Sequence, residues 1–355
     1  MSNIEQYQIE KGWVMADFLV VGQGSMGKRR VRCLLGNKIP AQQITVFDTR
    51  SDRLAESQEK YGVRTTDNLD AALNNPDCKA VLVSVPGFLH MQYCLAAVRA
   101  GKHWFSEIPL SVNLEGSSEL FSLTQQNKLI GAVGCQVLFN PVGRALHKWA
   151  NDSSTGGVLA GSYALGTYLP EWHPYEDYRK FYASNMAMGG GNLDVIAQEL
   201  TWIRWIIGHP IVAITCRSSK VGKLELAEGT PDHQELIVEF ANKVMISLHF
   251  DLNDRTHERT LRLCGENSTA KWSSQDNGVR FYNAEAKTWS EESLPENFDW
   301  ESCYVDEIGQ FMRCIETGQP WVVKLDAALE IVRMLLGLQI SSRECRTVRL
   351  ADVRQ

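Results

Sequence analysis

Three glycines near the start of the chain have the spacing of a phosphate-binding turn. Gly22, Gly24 and Gly27 follow the apolar run DFLVV and precede a helical pattern. In this spacing the first glycine permits a tight turn, the second lets a pyrophosphate approach backbone N–H groups, and the third allows close helix–strand contact. The loop therefore predicts a dinucleotide site that includes Gly22, Gly24, Ser25, Met26 and Gly27.

An acidic residue stands where such a site needs one. Asp48 ends the second predicted strand, about 20 residues after Gly27, where a carboxylate accepts hydrogen bonds from a ribose 2′-OH. It would repel a 2′-phosphate, which favours NAD over NADP. Arg50 lies two residues further on and can moderate that preference, so NADP stays an alternative. Lys28, Arg29 and Arg30 occupy the positive end of the following helix and are expected to be solvated unless an anion lies nearby.

Two kinds of element alternate in the first half of the chain and position this loop. Short apolar runs such as ITVFD, KAVLVSV, KHWFSE and LIGAVG are separated by amphipathic stretches of helical length. This alternation is typical of an α/β Rossmann fold with a doubly wound parallel sheet. The second half contains the β-rich segments VLAGSYALGTY, HQELIVEF, KVMISLHF, RTLRLCG and GVRFYN. We therefore predict two domains, at 1–137 and 138–355.

The composition excludes several classes of function. The 355 residues carry a net charge of -6, have no long basic stripe and lack a run of 18 apolar residues, so neither nucleic acid nor a membrane is an expected partner. The nine cysteines occur singly, which argues against a disulfide framework or a metal cluster. The N-terminal stretch MSNIEQYQIEKGWVM does not resemble a secretory signal. We expect a cytoplasmic protein with mostly buried thiols and no metal site.

Three further segments resemble a known family. They are VSVPGFLH (83–90), AGKHWFSEIPLS (100–111) and MGGGNLDVIAQELTWIRWIIGHP (188–210). In this order they resemble the landmarks of the glucose–fructose oxidoreductase, inositol dehydrogenase and MocA family. The resemblance implies NAD(P)-dependent oxidation or reduction of a sugar or sugar derivative, with cofactor contacts at Pro86, His90 and Glu107.

The same resemblance implies the architecture of the second half. It would be an α+β domain whose large, mostly antiparallel sheet forms a wall of the active site. That sheet is also the expected contact surface of a homodimer or homotetramer. The substrate would lie in the crevice between the domains, over the carboxyl ends of the parallel strands.

The sequence departs from the family at two positions that carry protons. In the family, a lysine between glutamate and proline and a histidine four residues after an aspartate exchange the proton that must accompany hydride transfer. Here Ile108 stands at the lysine position and Gln198 at the histidine position. Neither side chain titrates, so we expect the proton-transfer part of the active site to be altered. The glycine loop and Asp48 indicate that the cofactor-binding part is intact.

Candidate replacements cluster in an aromatic segment, defined as residues 167–185 (TYLPEWHPYEDYRKFYASN). Its polar side chains are Tyr168, Glu171, His173, Tyr175, Asp177, Tyr178, Arg179 and Tyr182. Such a loop can place polar groups on apolar bodies against a sugar. The segment also resembles, more weakly, a family branch associated with surface-polysaccharide and sialic-acid-like sugars.

Four residues are predicted as catalytic groups, and two of them have a structural alternative. His173 can instead pack on Trp172 or close a turn, and Asp194 can serve only as a helix cap. Glu199 points about 100° around a helix from Gln198 and can serve as a base displaced from the family position. The predicted catalytic residues are Tyr168, His173, Asp194 and Glu199, and the predicted substrate contacts are Ile108, Gln136, Tyr175, Tyr178, Arg179 and Gln198.

Two other functions remain open from the sequence. Loss of both titrating groups also fits a non-catalytic dinucleotide-binding sensor or regulatory protein. A third and narrower alternative is a lyase or hydratase that oxidises and re-reduces one substrate, with no net change in NAD.

Overall fold

A six-stranded parallel sheet forms the first domain. The computed structural model describes residues 17–354, so the N-terminal stretch discussed above lies outside the described residues. The sheet has the order β3-β2-β1-β4-β5-β6, and every neighbouring pair is parallel. Its strands are β1 (Asp17–Val21), β2 (Ile44–Phe47), β3 (Arg64–Thr66), β4 (Cys78–Val83), β5 (His103–Ser106) and β6 (Gly131–Val133).

Helices connect these strands and cover the sheet. They are α1 (Ser25–Gly36), α2 (Ser51–Tyr61), α3 (Leu69–Leu73), α4 (His90–Arg99) and α5 (Ser117–Gln126). The central strands are buried because they are apolar along their whole length, as DFLVV is in β1. The predicted doubly wound parallel sheet is confirmed. Its strand order reverses beside β1, so a crevice opens beyond the carboxyl ends of β1 and β4.

A nine-stranded sheet forms the core of the second domain, in the order β14-β13-β12-β11-β7-β10-β9-β8-β15. Only β7 and β10 pair in parallel, and the other pairs are antiparallel. The predicted mostly antiparallel sheet is confirmed. Its strands are β7 (Val158–Gly166), β8 (Ile211–Ser219), β9 (His233–Phe240), β10 (Met245–Asp251), β11 (Arg259–Gly265), β12 (Ser268–Ser273), β13 (Gly278–Asn283), β14 (Thr288–Ser293) and β15 (Val348–Arg349).

One face of this sheet is covered by helices. The covering helices are α6 (Pro141–Ala150), α7 (Leu193–Ile207) and α9 (Leu325–Glu344). Strand β9 shows the resulting alternation, because Leu236, Val238 and Phe240 are buried whereas Glu235 and Ile237 are exposed. The opposite face, which we call the open face, has no described helix against it.

The last part of the chain returns to the first domain. Helix α8 (Glu301–Thr317) lies against α1, where Arg29 and Arg32 form ion pairs with Glu301. The Asn37 side chain also donates to the Val305 carbonyl at 2.9 Å. The first domain is therefore completed by residues far along the chain, and a division at residue 137 stays a prediction.

Two general expectations have structural counterparts. All nine cysteines lie in the described range, and all except Cys264 and Cys345 are buried, which confirms that most are core thiols. None of the described helices combines the length and the apolar character that a bilayer span requires.

Candidate active site

The glycine loop between β1 and α1 has the shape of a phosphate cradle. Gly22 has φ +91°, and a Cβ added there would lie 2.4 Å from the Ser84 carbonyl oxygen. A Cβ on Gly27 would lie 1.8 Å from the Gly22 carbonyl oxygen, whereas one on Gly24 would meet no atom within 4 Å. The first and third glycines are thus required by packing, while the second faces open space. Helix α1 begins after Gly24 without a side-chain cap, which leaves its first N–H groups available to an anion.

Asp48 is held at the end of β2 beside this loop. It is 7% exposed, its Oδ2 accepts from the Gln23 N–H at 2.7 Å, and its Oδ1 accepts from the Arg50 N–H at 2.9 Å. A carboxylate has about four acceptor sites, so ribose hydroxyls can still bind. The Arg50 guanidinium turns to Asp52 through two hydrogen bonds of 3.0 and 2.5 Å. The Arg53 guanidinium lies 3.6 Å from Asp48 Oδ2. The contacts fit NAD because the Arg50 side chain is paired with Asp52 and the Asp48 carboxylate would repel a 2′-phosphate.

Arg30 overturns one expectation about the basic cluster. It is 1% exposed and donates to both oxygens of Glu107 at 2.5 and 2.8 Å and to Glu307 at 2.7 Å. Burial alone would lower the pKa of Arg30, but the charges of Glu107 and Glu307 raise it well above its ordinary value. The expectation of solvation is wrong for Arg30, because it ties α1 to β5 and α8. Lys28 and Arg29 remain nearer the surface, paired with Glu56 and Glu301.

Glu107 and His90 lie beside the crevice, but protein groups occupy their polar atoms. Glu107 also accepts from the Ser84 hydroxyl at 3.2 Å. His90 is 2% exposed, with Nδ1 at 2.6 Å from the Pro109 carbonyl oxygen and Nε2 at 2.7 Å from that of Val85. Burial lowers the pKa of His90 despite these two carbonyl contacts. The arrangement favours positioning of the Pro86 and Pro109 loops over direct contact with the cofactor.

The triple-glycine turn brings the start of α7 against the first domain. A Cβ on Gly189 would lie 3.3 Å from the Val112 side chain and 3.8 Å from Gly87 Cα. A Cβ on Gly190 would lie 2.3 Å from the Tyr182 carbonyl oxygen, which ties the turn to the aromatic segment. Backbone from both domains thus converges where α7 begins, and Asp194 is the second residue of that helix.

Only one of the two carboxylate oxygens of Asp194 has a side-chain hydrogen-bond partner in this position. The Tyr182 hydroxyl donates to Asp194 Oδ2 at 2.6 Å, whereas Asp194 Oδ1 is buried without a hydrogen-bond partner among the described residues. Burial raises the pKa of Asp194, against the Tyr182 hydroxyl and the backbone N–H groups of Val195 and Asp194. Burial and the Asp194 charge raise the pKa of Tyr182 well above its ordinary value, and the charge of Glu107 adds to this.

Gln198 and Glu199 lie one turn further along α7. Gln136 Nε2 donates to Gln198 Oε1 at 3.2 Å, which joins two of the predicted substrate contacts. Glu199 is 0% exposed, and its Oε2 accepts from the Tyr163 hydroxyl and the Trp202 indole, both at 2.6 Å. Its Oε1 accepts from Gln198 at 3.2 Å and lies 3.6 Å from Arg259. These contacts favour a structural role for Glu199 over the predicted catalytic one.

The aromatic segment folds around a small apolar core of its own. Leu169, Ala183, Leu224 and Leu252 are buried there, with Tyr168 and Tyr182 packed against them. The Tyr168 ring lies under the Arg255 guanidinium at 3.5 Å from its centroid. Short 3₁₀ turns at Leu169–Glu171, Tyr178–Lys180, Tyr182–Ser184 and Met186–Met188 carry the chain to the triple-glycine turn.

The other predicted residues of this segment bond to each other and to a neighbouring loop. His173 Nδ1 lies 2.6 Å from Glu176 and 3.1 Å from the Tyr175 hydroxyl, and Tyr175 is 77% exposed. The Tyr178 hydroxyl accepts from the Glu225 N–H at 3.0 Å. Arg179 forms a two-pronged pair with Asp177 at 2.8 and 3.0 Å. None of these contacts reaches Asp194 or Gln198, so the substrate and catalytic roles of these residues stay predictions.

The structure assembles three groups whose roles the sequence does not indicate. Tyr182 is one of many polar residues in the aromatic segment, and its place beside Asp194 depends on the fold of that segment. Arg30 and Glu307 are 277 positions apart. Local periodicity does not distinguish a buried arginine in a basic run from its exposed neighbours. The glutamates that bind Arg30 lie on other elements, so their proximity is seen only in the structure.

The doubly wound sheet, the phosphate cradle and the ribose carboxylate together define an NAD-binding domain joined to an α+β domain. Residues 16–135 match the oxidoreductase family with an NAD-binding Rossmann fold, and residues 144–271 match the GFO/IDH/MocA C-terminal domain. The chain belongs to this Gfo/Idh/MocA oxidoreductase family, as its motifs predict.

Several relatives are similar along most of the chain. It is 23% identical to the inositol 2-dehydrogenase of Pseudomonas fluorescens over 309 residues, which cover 84% of this chain and 86% of that enzyme. The structure of a levoglucosan dehydrogenase in complex with NADH and L-sorbose superposes with a TM-score of 0.84, at 14% identity over 94% of this chain and 98% of that one. GenD2 from gentamicin A biosynthesis in complex with NAD gives 0.79, at 21% identity over 96% and 99%.

Proposed function

We propose that the protein is an NAD-dependent oxidoreductase of a sugar or polyol in which Asp194 carries the substrate proton. The observation that supports this assignment is the Asp194 carboxylate, with one oxygen bound by Tyr182 and the other buried and unpartnered. Buried polar groups in proteins are nearly always hydrogen-bonded, so an exception beside an interdomain crevice indicates a ligand.

The four predicted catalytic residues differ in how well they suit this role. Glu199 has protein partners on both oxygens, and Tyr168 is stacked under Arg255. His173 contacts Glu176 and Tyr175 within its own segment. Asp194 alone among them combines a raised pKa with a buried acceptor oxygen that lacks a hydrogen-bond partner among the described residues.

The chemistry follows from the groups present. When bound in the cradle, NAD supplies the hydride acceptor. Asp194 Oδ1 accepts the proton of the substrate hydroxyl, and its raised pKa makes it a stronger base than an exposed aspartate. Tyr182 donates to Oδ2 and so holds the carboxylate in one orientation. In the reverse direction protonated Asp194 returns the proton to the carbonyl oxygen of the substrate.

The amides that neighbour this carboxylate suit a substrate rich in hydroxyl groups. Gln136 and Gln198 each offer a donor and an acceptor, and their mutual contact of 3.2 Å is weak enough to be exchanged for a ligand. The names of the relatives support a cyclic polyol or anhydro sugar as the first substrates to test, namely inositol and levoglucosan. The narrower assignment to a sialic-acid-like or surface-polysaccharide sugar stays a prediction.

The first experiment is a substrate screen followed by one substitution. Wild type is assayed with NAD and a panel of cyclic polyols and sugars, by absorbance at 340 nm and by NMR of the substrate. NMR also detects a lyase or hydratase that causes no net change in NADH. We expect Asp194→Asn to lower kcat by about 10²- to 10⁴-fold, the usual contribution of a positioned acid/base. Its NAD affinity should change by less than about 3-fold, because Asp48 and the glycine loop are untouched.

Two further variants make the test specific. Tyr182→Phe removes only the orienting hydroxyl and should lower kcat by about 10-fold, less than Asp194→Asn. Tyr282→Phe is the matched control, because Tyr282 lies on β13 with its ring against Trp289 and belongs to none of the predicted sites. Unchanged turnover in Asp194→Asn would refute the proton role. Absence of any chemical change in the whole panel, with NAD bound, would support the sensor alternative.

A further inference from the structure

Four ligand-type side chains meet on the open face of the second sheet. His233 and Glu235 occupy alternate positions of β9, and His249 and Asp251 occupy alternate positions of the adjacent β10. The register places His249 opposite Glu235 and Asp251 opposite His233. Because alternate residues of a strand share one face, all four side chains project to the same side. We call these residues the histidine cluster.

The two imidazoles converge on a single carboxylate oxygen. His249 Nδ1 lies 2.7 Å from Glu235 Oε1, and His233 Nε2 lies 3.3 Å from the same atom. One ligand atom from each of His233, Glu235 and His249 falls within 4.8 Å of the other two. Tetrahedral zinc with bonds of about 2.0–2.1 Å places its ligand atoms roughly 3.3 Å apart. Small side-chain rotations suffice to reach that spacing.

Each imidazole has a second partner on its other nitrogen. His249 Nε2 lies 2.9 Å from Asp251 Oδ2, and His233 Nδ1 lies 3.2 Å from the Ser219 hydroxyl. A carboxylate only accepts, so Nε2 of His249 carries a hydrogen and a neutral ring has its lone pair on Nδ1, towards Glu235. Two acceptors 2.7 Å apart need a cation or a proton between them. Histidines that bind metals have this arrangement, with the outer nitrogen donating to a carboxylate.

The surrounding charges also suit a divalent cation. Glu235 and Asp251 supply two negative charges next to the two imidazoles. Arg217 lies opposite Glu235 on β8, but its guanidinium contacts the Cys345 sulfur instead of the Glu235 carboxylate. No basic side chain of the described residues forms an ion pair with Glu235 other than the two histidines.

We propose that the histidine cluster is a zinc site in which His233, Glu235 and His249 bind the metal and water completes the coordination. Asp251 and Ser219 orient the two imidazoles. Two histidines and one carboxylate are a ligand set that zinc uses readily, and nitrogen donors disfavour Mg²⁺ and Ca²⁺. Since all three ligands lie on two adjacent strands, the bound ion would fasten β9 to β10.

The test uses the untagged full chain, because a histidine tag would itself bind zinc. After treatment with EDTA, the protein is titrated with ZnCl₂ against a chromophoric chelator, and bound zinc per chain is counted by mass spectrometry. We expect one zinc per chain and a higher Tm when zinc is present. His233→Ala and His249→Ala should each weaken binding by at least about 10-fold, and Asp251→Asn by about 10- to 100-fold through the imidazole it orients.

Controls separate this site from adventitious binding. His209→Ala removes an exposed histidine outside the cluster and should leave zinc affinity unchanged. Circular dichroism of each variant shows whether its fold is kept, and an anomalous difference map at the zinc edge locates the ion independently. Zinc binding that survives both histidine substitutions would overturn the proposal. So would absence of binding in the wild type, which would identify the cluster as imidazolium–carboxylate ion pairs.

Discussion

Helix α7 carries two carboxylates, of Asp194 and Glu199, that differ in how their oxygens are used. Glu199 has protein partners on both oxygens, drawn from β7, α7 itself and β11. Asp194, near the start of the same helix, has one donor and one oxygen without a partner. Glu199 is fully buried and Asp194 is partly exposed, but each has a carboxylate oxygen out of solvent, so burial of an oxygen does not distinguish them. The acceptor without a hydrogen bond does, because such buried oxygens are uncommon in folded proteins.

The largest effect that would sharpen this contrast is on stability. Glu199→Gln should lower the free energy of unfolding by about 2–3 kcal/mol, because the Tyr163 hydroxyl and the Trp202 indole lose a charged acceptor in a buried site. Turnover per folded molecule should change by less than about 2-fold. Urea denaturation measures the first quantity and steady-state kinetics the second. Asp194→Asn should show the reverse pattern, with stability kept and turnover lost.

The comparison fails if Glu199→Gln is as stable as the wild type and has lost turnover. Glu199 would then be the displaced base, and Asp194 a helix cap. Glu239→Gln is the control, because it removes a carboxylate from a partly exposed position of β9. Its effect on both quantities should be small.

A second and smaller effect is the pH dependence of the Asp194 contribution. Its pKa is raised in the folded protein from an ordinary value of 3.8, so folding favours the protonated carboxyl. The resulting stability is fully present below the ordinary pKa and is lost as pH rises through the raised one. The free energy of unfolding of wild type, relative to Asp194→Asn, should therefore fall with rising pH. The kcat/KM value should rise over the same window, because the base is the ionised form.

Urea denaturation of both proteins across this window tests the stability trend, and the pH–rate profile of wild type tests the kinetic one. A stability difference that grows with pH would mean that the Asp194 carboxylate is stabilised in the fold. That result would exclude Asp194 as a base with a raised pKa.

The smallest expected effect concerns Ile108. Ile108→Lys restores the lysine that the family has at this position, yet Gln198 still lacks the proton that the family histidine carries. We expect turnover to change by less than about 2-fold, because the proton of the proposed reaction passes through Asp194. The same kinetic assay used for Asp194→Asn decides this. A clear gain from the single change would show that the family route is still functional and that Asp194 is not required.

Most of the first domain could be predicted from the sequence because its signals are local. The GQGSMG loop, the strand that ends at Asp48 and the helix after Asn192 are specified by neighbouring residues, and the structure has them where the patterns indicate. Strand β3 carries the polar sequence RTT, so it has no apolar run to reveal it. The parallel pairing of β7 with β10 joins strands separated by two others in the chain, which periodicity does not report.

The site was less predictable because its contacts cross long stretches of chain. Asp194 could be singled out from a motif, but its hydrogen bonding depends on where Tyr182 lies, at the start of the third of four 3₁₀ turns. The Glu199 network uses Tyr163 and Arg259 from two other strands. His233 and His249 are adjacent only through the register of β9 and β10. One sequence contains the residues of these clusters, while the pairing of elements decides which of them meet.

The ion pair between Arg30 and Glu307 has a consequence for the order in which the protein matures. Synthesis proceeds from the N-terminus, and domains generally fold as they emerge from the ribosome. Here the helix that follows the phosphate cradle contains a buried arginine whose second carboxylate partner is translated 277 residues later. The cofactor domain therefore cannot reach its final charge balance until almost the entire polypeptide has been made.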